Sequence, residues 1–390
     1  MLGWSLAAEW PEFRGPGGQG HAEGQAPLHW SGTENVRWKR PVPGRGWSSP
    51  AIAGNRVWLT TADDDGRSLR ALCFESETGD LLHDVEVFRV RAPIGIHAKN
   101  SFASPTPVID AERVYIHFGA EGAAGLSRDG AILWKTRLDY RPMHGSGGSP
   151  VLYRDLLVIA CDGTDRQFVT ALDTATGKVR WKAPRNGAHA YATPLIIRTG
   201  ERDQVVSPGG FFAASYDPAN GKELWRVRYG DGFSNVPRPV FAHGLVFLCT
   251  GFFQPSVLAV RPGEGDVTDS NIVWRLDRGA PLTPSPIIVG DEIYVVSDNG
   301  IVTCAEARTG KILWRERFGG NFSASPVFAA GRLYFLNEEG ETTVIAPGRD
   351  FRRLAVNRIA ETTLASLAVS EGSLYLRSES NLFRIEDEGK

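Results

Sequence analysis

The feature that most constrains this chain is a recurring mark: an apolar run introduced by a small or polar residue and, usually, a proline. It occurs at Ser49-Pro50, Thr106-Pro107, Ser149-Pro150, Thr193-Pro194, Arg238-Pro239, Ser285-Pro286, Ser325-Pro326 and, with the proline lost, Ser366-Leu367. The separations are 57, 43, 44, 45, 47, 40 and 41 residues, a range in which one repeat is a four-stranded propeller blade rather than a helical pair. A second mark follows the first. Thr78-Gly79, Thr176-Gly177, Asn220-Gly221 and Thr309-Gly310 supply tight turns, and a tryptophan stands four residues after the last three glycines, at Trp181, Trp225 and Trp314; Trp134 and Trp274 hold the same place elsewhere.

The unit beginning at Ser149 shows how a repeat becomes a blade. Residues 151 to 153 read as an inner strand, 156 to 160 as an apolar second strand buried on both faces, 168 to 173 as an alternating third strand, and 178 to 182 as an outer strand carrying Trp181. Proline at the start of the inner strand is tolerated because the first residue beside a central channel need not donate to a ladder. The last repeat has only three strands, near 365 to 369, 373 to 377 and 381 to 385. The unattached segment 35 to 40, with Trp38, reads as its missing outer strand, so the expected fold is all-β, an eight-bladed propeller closed by an N-terminal strand. The expected domains are a lead-in over 1 to 34, with a signal-peptide remnant at 1 to 8, and a single propeller over 35 to 390.

A formal net charge of −2 gives no electrostatic reason to expect nucleic acid. No stretch approaches the roughly 18 consecutive apolar residues of a membrane helix. Cys73, Cys161, Cys249 and Cys304 fall on blades too far apart for their like pairs to bridge, so four free, buried thiols are expected. Asp63-Asp64-Asp65-Gly66, Asp162-Gly163-Thr164-Asp165 and Glu338-Glu339-Gly340 fall between strands and read as hairpin turns rather than calcium loops.

The stretch Leu172-Asp173-Thr174-Ala175-Thr176-Gly177-Lys178-Val179-Arg180-Trp181, echoed at Tyr216 to Trp225 and Glu306 to Trp314, resembles the tryptophan-docking motif of the PQQ-like (pyrroloquinoline quinone) propeller superfamily. Trp10-Pro11-Glu12-Phe13-Arg14-Gly15-Pro16-Gly17-Gly18-Gln19-Gly20 resembles the lead-in of exported bacterial members. The resemblance implies one of two functions: a BamB-like scaffold that binds partners, or a quinoprotein oxidoreductase. Here no two cysteines adjoin, as the quinone-stacking disulfide of the dehydrogenases requires, and no N-terminal lipoprotein cysteine is present.

Loops leading into the inner strands line one mouth of a propeller channel, which makes Trp47, Lys99, Asn100, Arg141, Arg185, Tyr191, Asn235, Arg238 and Phe322 the candidate cofactor- or partner-binding residues. His97, His144 and His189 fall on three consecutive loops and form a candidate imidazole metal site. The connection 81 to 101 is read as a lid arching over the mouth, with a lengthened outer strand as the alternative. No catalytic residue is assigned. The resulting expectation is a periplasmic or secreted, monomeric, non-catalytic propeller of the PQQ-like type, without cofactor, recognising a protein or carbohydrate partner through the rim. The alternative is a PQQ- or metal-dependent oxidoreductase, with the quinone and calcium held at the mouth by the arginines and Lys99.

Overall fold

The computed structural model describes residues 9–387. They build eight antiparallel sheets arranged as blades, each starting with a short inner strand a residue or two after its mark. Blade 3 comprises Val151–Tyr153, Leu156–Asp162, Gln167–Asp173 and Val179–Pro184, within two residues of the sequence reading. Its second strand is apolar and buried along its length because each blade face packs on a neighbour. In blade 8, Ala368–Ser370, Ser373–Arg377 and Asn381–Ile385 are completed by Val36–Pro41, which runs antiparallel to the third strand with Lys39 opposite Phe383. The chain's two ends therefore share one sheet. Blade 4 departs from four strands: Gly265–Asp266, from an excursion of the long fifth repeat, pairs in parallel with the outer strand Glu223–Arg228, and Asp266 takes a hydrogen bond from Arg228 at 3.0 Å.

Two contacts explain the two marks. The indole N–H of Trp134, Trp181, Trp274 and Trp38 donates to a backbone carbonyl of the next blade, at Thr174, Pro218, Ala307 and Ser76, over 2.8 to 2.9 Å. Each ring lies over that blade's turn glycine, where a Cβ would stand 2.4 to 2.7 Å from it. Those glycines, at φ near +70°, are therefore required twice over, for the turn and for the space. The hydroxyl marks form a belt. The N–H groups of Ser49, Thr106, Ser149, Arg238, Ser285, Ser325 and Ser366 each donate to the mark hydroxyl of the following blade at 2.9 to 3.0 Å, the last returning to Ser49. One junction lacks a hydroxyl. Ahead of Thr193 stands Arg238, and its guanidinium does something else.

The lead-in runs around the inside of the ring. Trp10 pairs with Ile52 of blade 1, Pro11 accepts from Ile109 of blade 2, Gln19 accepts from Phe241 of blade 5, His21 meets Ile288 of blade 6, and Ala22 donates to Phe328 of blade 7. Arg238 holds it there, donating to Glu12 at 2.8 Å and to the carbonyls of Phe13 and Pro194. Gly18 makes room for that guanidinium, which a Cβ would contact at 2.0 Å. The four cysteines are free and buried, their thiols pushed up by burial. No helix among the described residues is long and apolar enough to cross a membrane. The proposed remnant at 1 to 8 lies outside the described residues.

His117, in the second strand of blade 2, is buried and its Nε2 has no partner. Burial lowers it from 6.5 to about 4, against the weaker raising effect of backbone carbonyls. A depressed folded value means that neutrality stabilises the fold. The contribution is complete above about pH 6.5 and is lost as pH falls towards 4, amounting in full to roughly 3 kcal/mol. His117→Gln should flatten the acid limb of stability between pH 7 and 4.5, as read by urea midpoints; parallel wild-type and variant curves would reject the assignment.

Candidate functional site

The loops preceding the inner strands surround a cavity of about 600 Å³. Phe13 of the lead-in forms part of its wall. Of the predicted residues, Trp47, Lys99, Asn100, Tyr191, His97 and His144 line it. The connection 81 to 101 divides between its two readings. Leu81–Arg89 is the outer strand of blade 1, and the residues after it lean over the mouth, where the His97 N–H and the Asn100 amide both donate to the His144 carbonyl, at 3.2 and 2.8 Å. Lys99 reaches across to Glu338 of blade 7 at 2.5 Å. Glu338 therefore sits in a hairpin turn, as expected, and also latches the mouth.

The other predicted residues lie elsewhere. Arg185 is buried between blades 3 and 4, where it makes a two-pronged ion pair with Asp162 and donates to the Ser207 carbonyl. Burial opposes its charge, and the carboxylate beside it outweighs that effect and keeps it protonated. Asn235 is buried and donates to the Cys249 carbonyl, Phe322 belongs to the core between blades 6 and 7, Arg238 clamps the lead-in, and Arg141 is exposed, its N–H fixed by Asp165. Position just before a mark puts a residue near the channel, but it does not decide which way the side chain projects.

The three histidines stand in a row. His97 and His144 meet edge to face at 5.5 Å between centroids, and His144 and His189 at 5.6 Å. Burial, then the neighbouring imidazole, lowers both His144 and His189, favouring their neutral forms. Among the described residues no group of three or more His, Cys, Asp or Glu is placed to hold a metal ion. The residues present also do not fit a tricarboxylate quinone. Among the described residues no arginine lines the pocket, Lys99 is already paired, and Asp298 adds a carboxylate to the wall.

The row continues into phenylalanines that the sequence reading did not select as a surface patch. His189 meets Phe233 at 5.2 Å, and Phe233 meets Phe252 and Phe253 at 5.9 Å. Outside the pocket, Ala188, His189, Phe211, Asp231, Phe233 and Phe253 line a second, largely apolar hollow of about 440 Å³. Phe253 is 68% exposed, Phe252 53% and Phe211 40%. Phe211 and Phe253 have φ of +75° and +85°, a region that bulky side chains rarely enter. The available signal was the adjacent Phe252-Phe253 pair in a glycine-led loop.

Comparison with known proteins accords with this architecture. The family model described as outer membrane protein assembly factor BamB matches residues 23–190, 126–270 and 211–354. The outer membrane protein assembly factor BamB of Alteromonas naphthalenivorans is 31% identical over 190 residues, a stretch covering 47% of this chain and 42% of that protein. Among solved structures, BamB from Moraxella catarrhalis superposes with a TM-score of 0.63 at 14% identity, covering 90% of this chain and 97% of that one. Quinohemoprotein alcohol dehydrogenase from Comamonas testosteroni superposes with 0.71 at 8% identity, covering 99% and 82%. Those two likenesses speak for the fold alone. With matched segments running from residue 23 to 354, this chain belongs to the BamB family of PQQ-like β-propeller repeat proteins.

Proposed function

We propose that this chain is a non-catalytic, extracytoplasmic binding propeller that docks a protein partner at the aromatic hollow beside its mouth. The observation that carries the reading is the pair of strained, exposed rings. A phenylalanine in the left-handed region costs of order 1 to 3 kcal/mol and persists only where surrounding contacts impose it. Here they do: Phe211 donates to Gly232 and accepts from Tyr229, while neighbouring Phe252 exchanges hydrogen bonds with Phe233. Two such rings leave much of their apolar surface in solvent, and apolar surface held out in this way suits a partner that covers it. The family description, an outer membrane assembly factor, supports a protein partner and a location at the cell envelope. A quinoprotein activity would require cations in the pocket, where the paired Lys99 is the one Lys or Arg among the described lining residues.

Asparagine tolerates the left-handed region, so F211N/F253N removes the rings without adding strain. The immobilised chain is expected to retain a defined envelope protein, and the double variant to retain at least tenfold less at an unchanged or slightly higher melting temperature. Equal retention by both, or none by the wild type, would count against the reading.

A further inference from the structure

We infer that the pocket at the channel mouth binds a neutral, polyhydroxylated ligand the size of one or two sugar rings. This deepens the binding reading, on which it rests, but uses residues inside the mouth, with Phe233 as the ring it shares with the outer hollow.

Size and shape come first. A pocket of about 600 Å³ lies within the range of small-molecule sites. Phe13 is fixed in its wall, because its carbonyl accepts from the Arg238 clamp.

The wall provides donors and acceptors together. Ser49, Thr106, Ser149, Thr193 and Ser366 each accept one backbone N–H from the adjoining blade. Each retains its own hydrogen and a second lone pair, since a hydroxyl offers one donor and two acceptors. All five line the pocket. Fixing each oxygen through the belt leaves a band of hydroxyls already positioned around the channel, able to donate to and accept from the hydroxyls of a polyol. Preorganisation of this kind reduces the ordering cost of binding.

Charge selects neutrality. The Lys99 ammonium is taken by Glu338, and Asp298 accepts the N–H groups of Leu282 and Thr283 at 2.7 and 3.3 Å. An anionic ligand would meet the Asp298 carboxylate and no uncommitted Lys or Arg. In the same wall, Phe13, Tyr191, Phe233 and Phe252 offer ring surface for the C–H face of a pyranose. Hydroxyls in a band, rings beside them and no free cation together describe a saccharide better than an acid or a hydrocarbon.

The test is calorimetric titration of the whole chain with glucose, N-acetylglucosamine, cellobiose, chitobiose and trehalose, with galacturonate as the anionic control. At least one neutral sugar is expected to bind saturably and galacturonate not to bind. Leu364→Trp, which fills the pocket from the loop before blade 8, should abolish binding. Thr193→Val should weaken it about tenfold, and Val356→Ser, on the exposed outer strand of blade 7, should leave it unchanged. Silence of the whole neutral panel, binding indifferent to Leu364→Trp, or a preference for galacturonate would overturn the proposal. A protein partner still captured by a Leu364→Trp chain but lost from F211N/F253N would show the outer-hollow reading standing on its own.

Discussion

A chain lacking residues 35 to 40 should melt at least roughly 6 °C lower than the intact protein, with blades 1 and 8 exchanging amide hydrogens first. The segment contributes more than a ladder of hydrogen bonds along Asn381–Ile385. Trp38 is buried against Tyr375 of its own blade, donates to the Ser76 carbonyl of blade 1 and covers Gly79 there. Arg384, on the strand that 36 to 41 would leave bare, also donates to Ser76 and pairs with Glu77. Loss of a buried tryptophan alone costs roughly 3 to 5 kcal/mol. Spread over the unfolding entropy of a chain this long, about 5 kcal/mol corresponds to the stated shift. The deletion also leaves Asn381–Ile385 as an unprotected sheet edge. Trp38→Ala isolates the side chain and should account for most of the change. Calorimetry decides: an unchanged midpoint in the truncated chain would mean that the ring does not depend on its closing strand.

That closure was legible because it is a matter of counting. Seven complete sets of strands, one incomplete set and one spare strand with its Trp leave a single arrangement in which every blade has its outer strand. The marks were legible as periodicity, but their causes were not. Nothing in Ser325-Pro326 says that Oγ accepts an N–H from position 285, because the donor is 40 residues distant and is found only once the ring is closed. The site was less legible still. Lys99 and Asn100 reach the pocket, while Arg185, eight residues before its mark, and Arg238, part of its own, turn into the protein towards the buried Asp162 and the half-buried Glu12. Sequence distance conceals such pairs: Glu12 and Arg238 are 226 residues apart. The exposed phenylalanines were missed for the opposite reason. A Phe in a propeller sequence reads as core, and only a positive φ reveals that it is held outward.

Glu12→Gln should cost roughly 3 to 5 kcal/mol, the penalty of leaving a buried cation without its counter-charge. The local arithmetic is unusually severe. Arg238 is almost wholly buried, and Arg14 beside it is buried as well, with Nε and Nη1 unpartnered. Burial, and then Arg238, lowers Arg14 to about 9, which still leaves it charged at neutral pH. Glu12 is the carboxylate that Arg238 grips, and without its charge two guanidiniums share one interior. Arg238→Ser relieves that repulsion and places a hydroxyl at the one belt position that lacks it, ahead of the Thr193 N–H, but it releases the lead-in from its clamp. The double variant E12Q/R238S should therefore be more stable than E12Q alone while exposing residues 9 to 22 to protease. Urea unfolding of the two single variants and the double gives the coupling energy. Strict additivity would show that the lead-in is held by its backbone pairing alone and that the Arg238 clamp is incidental.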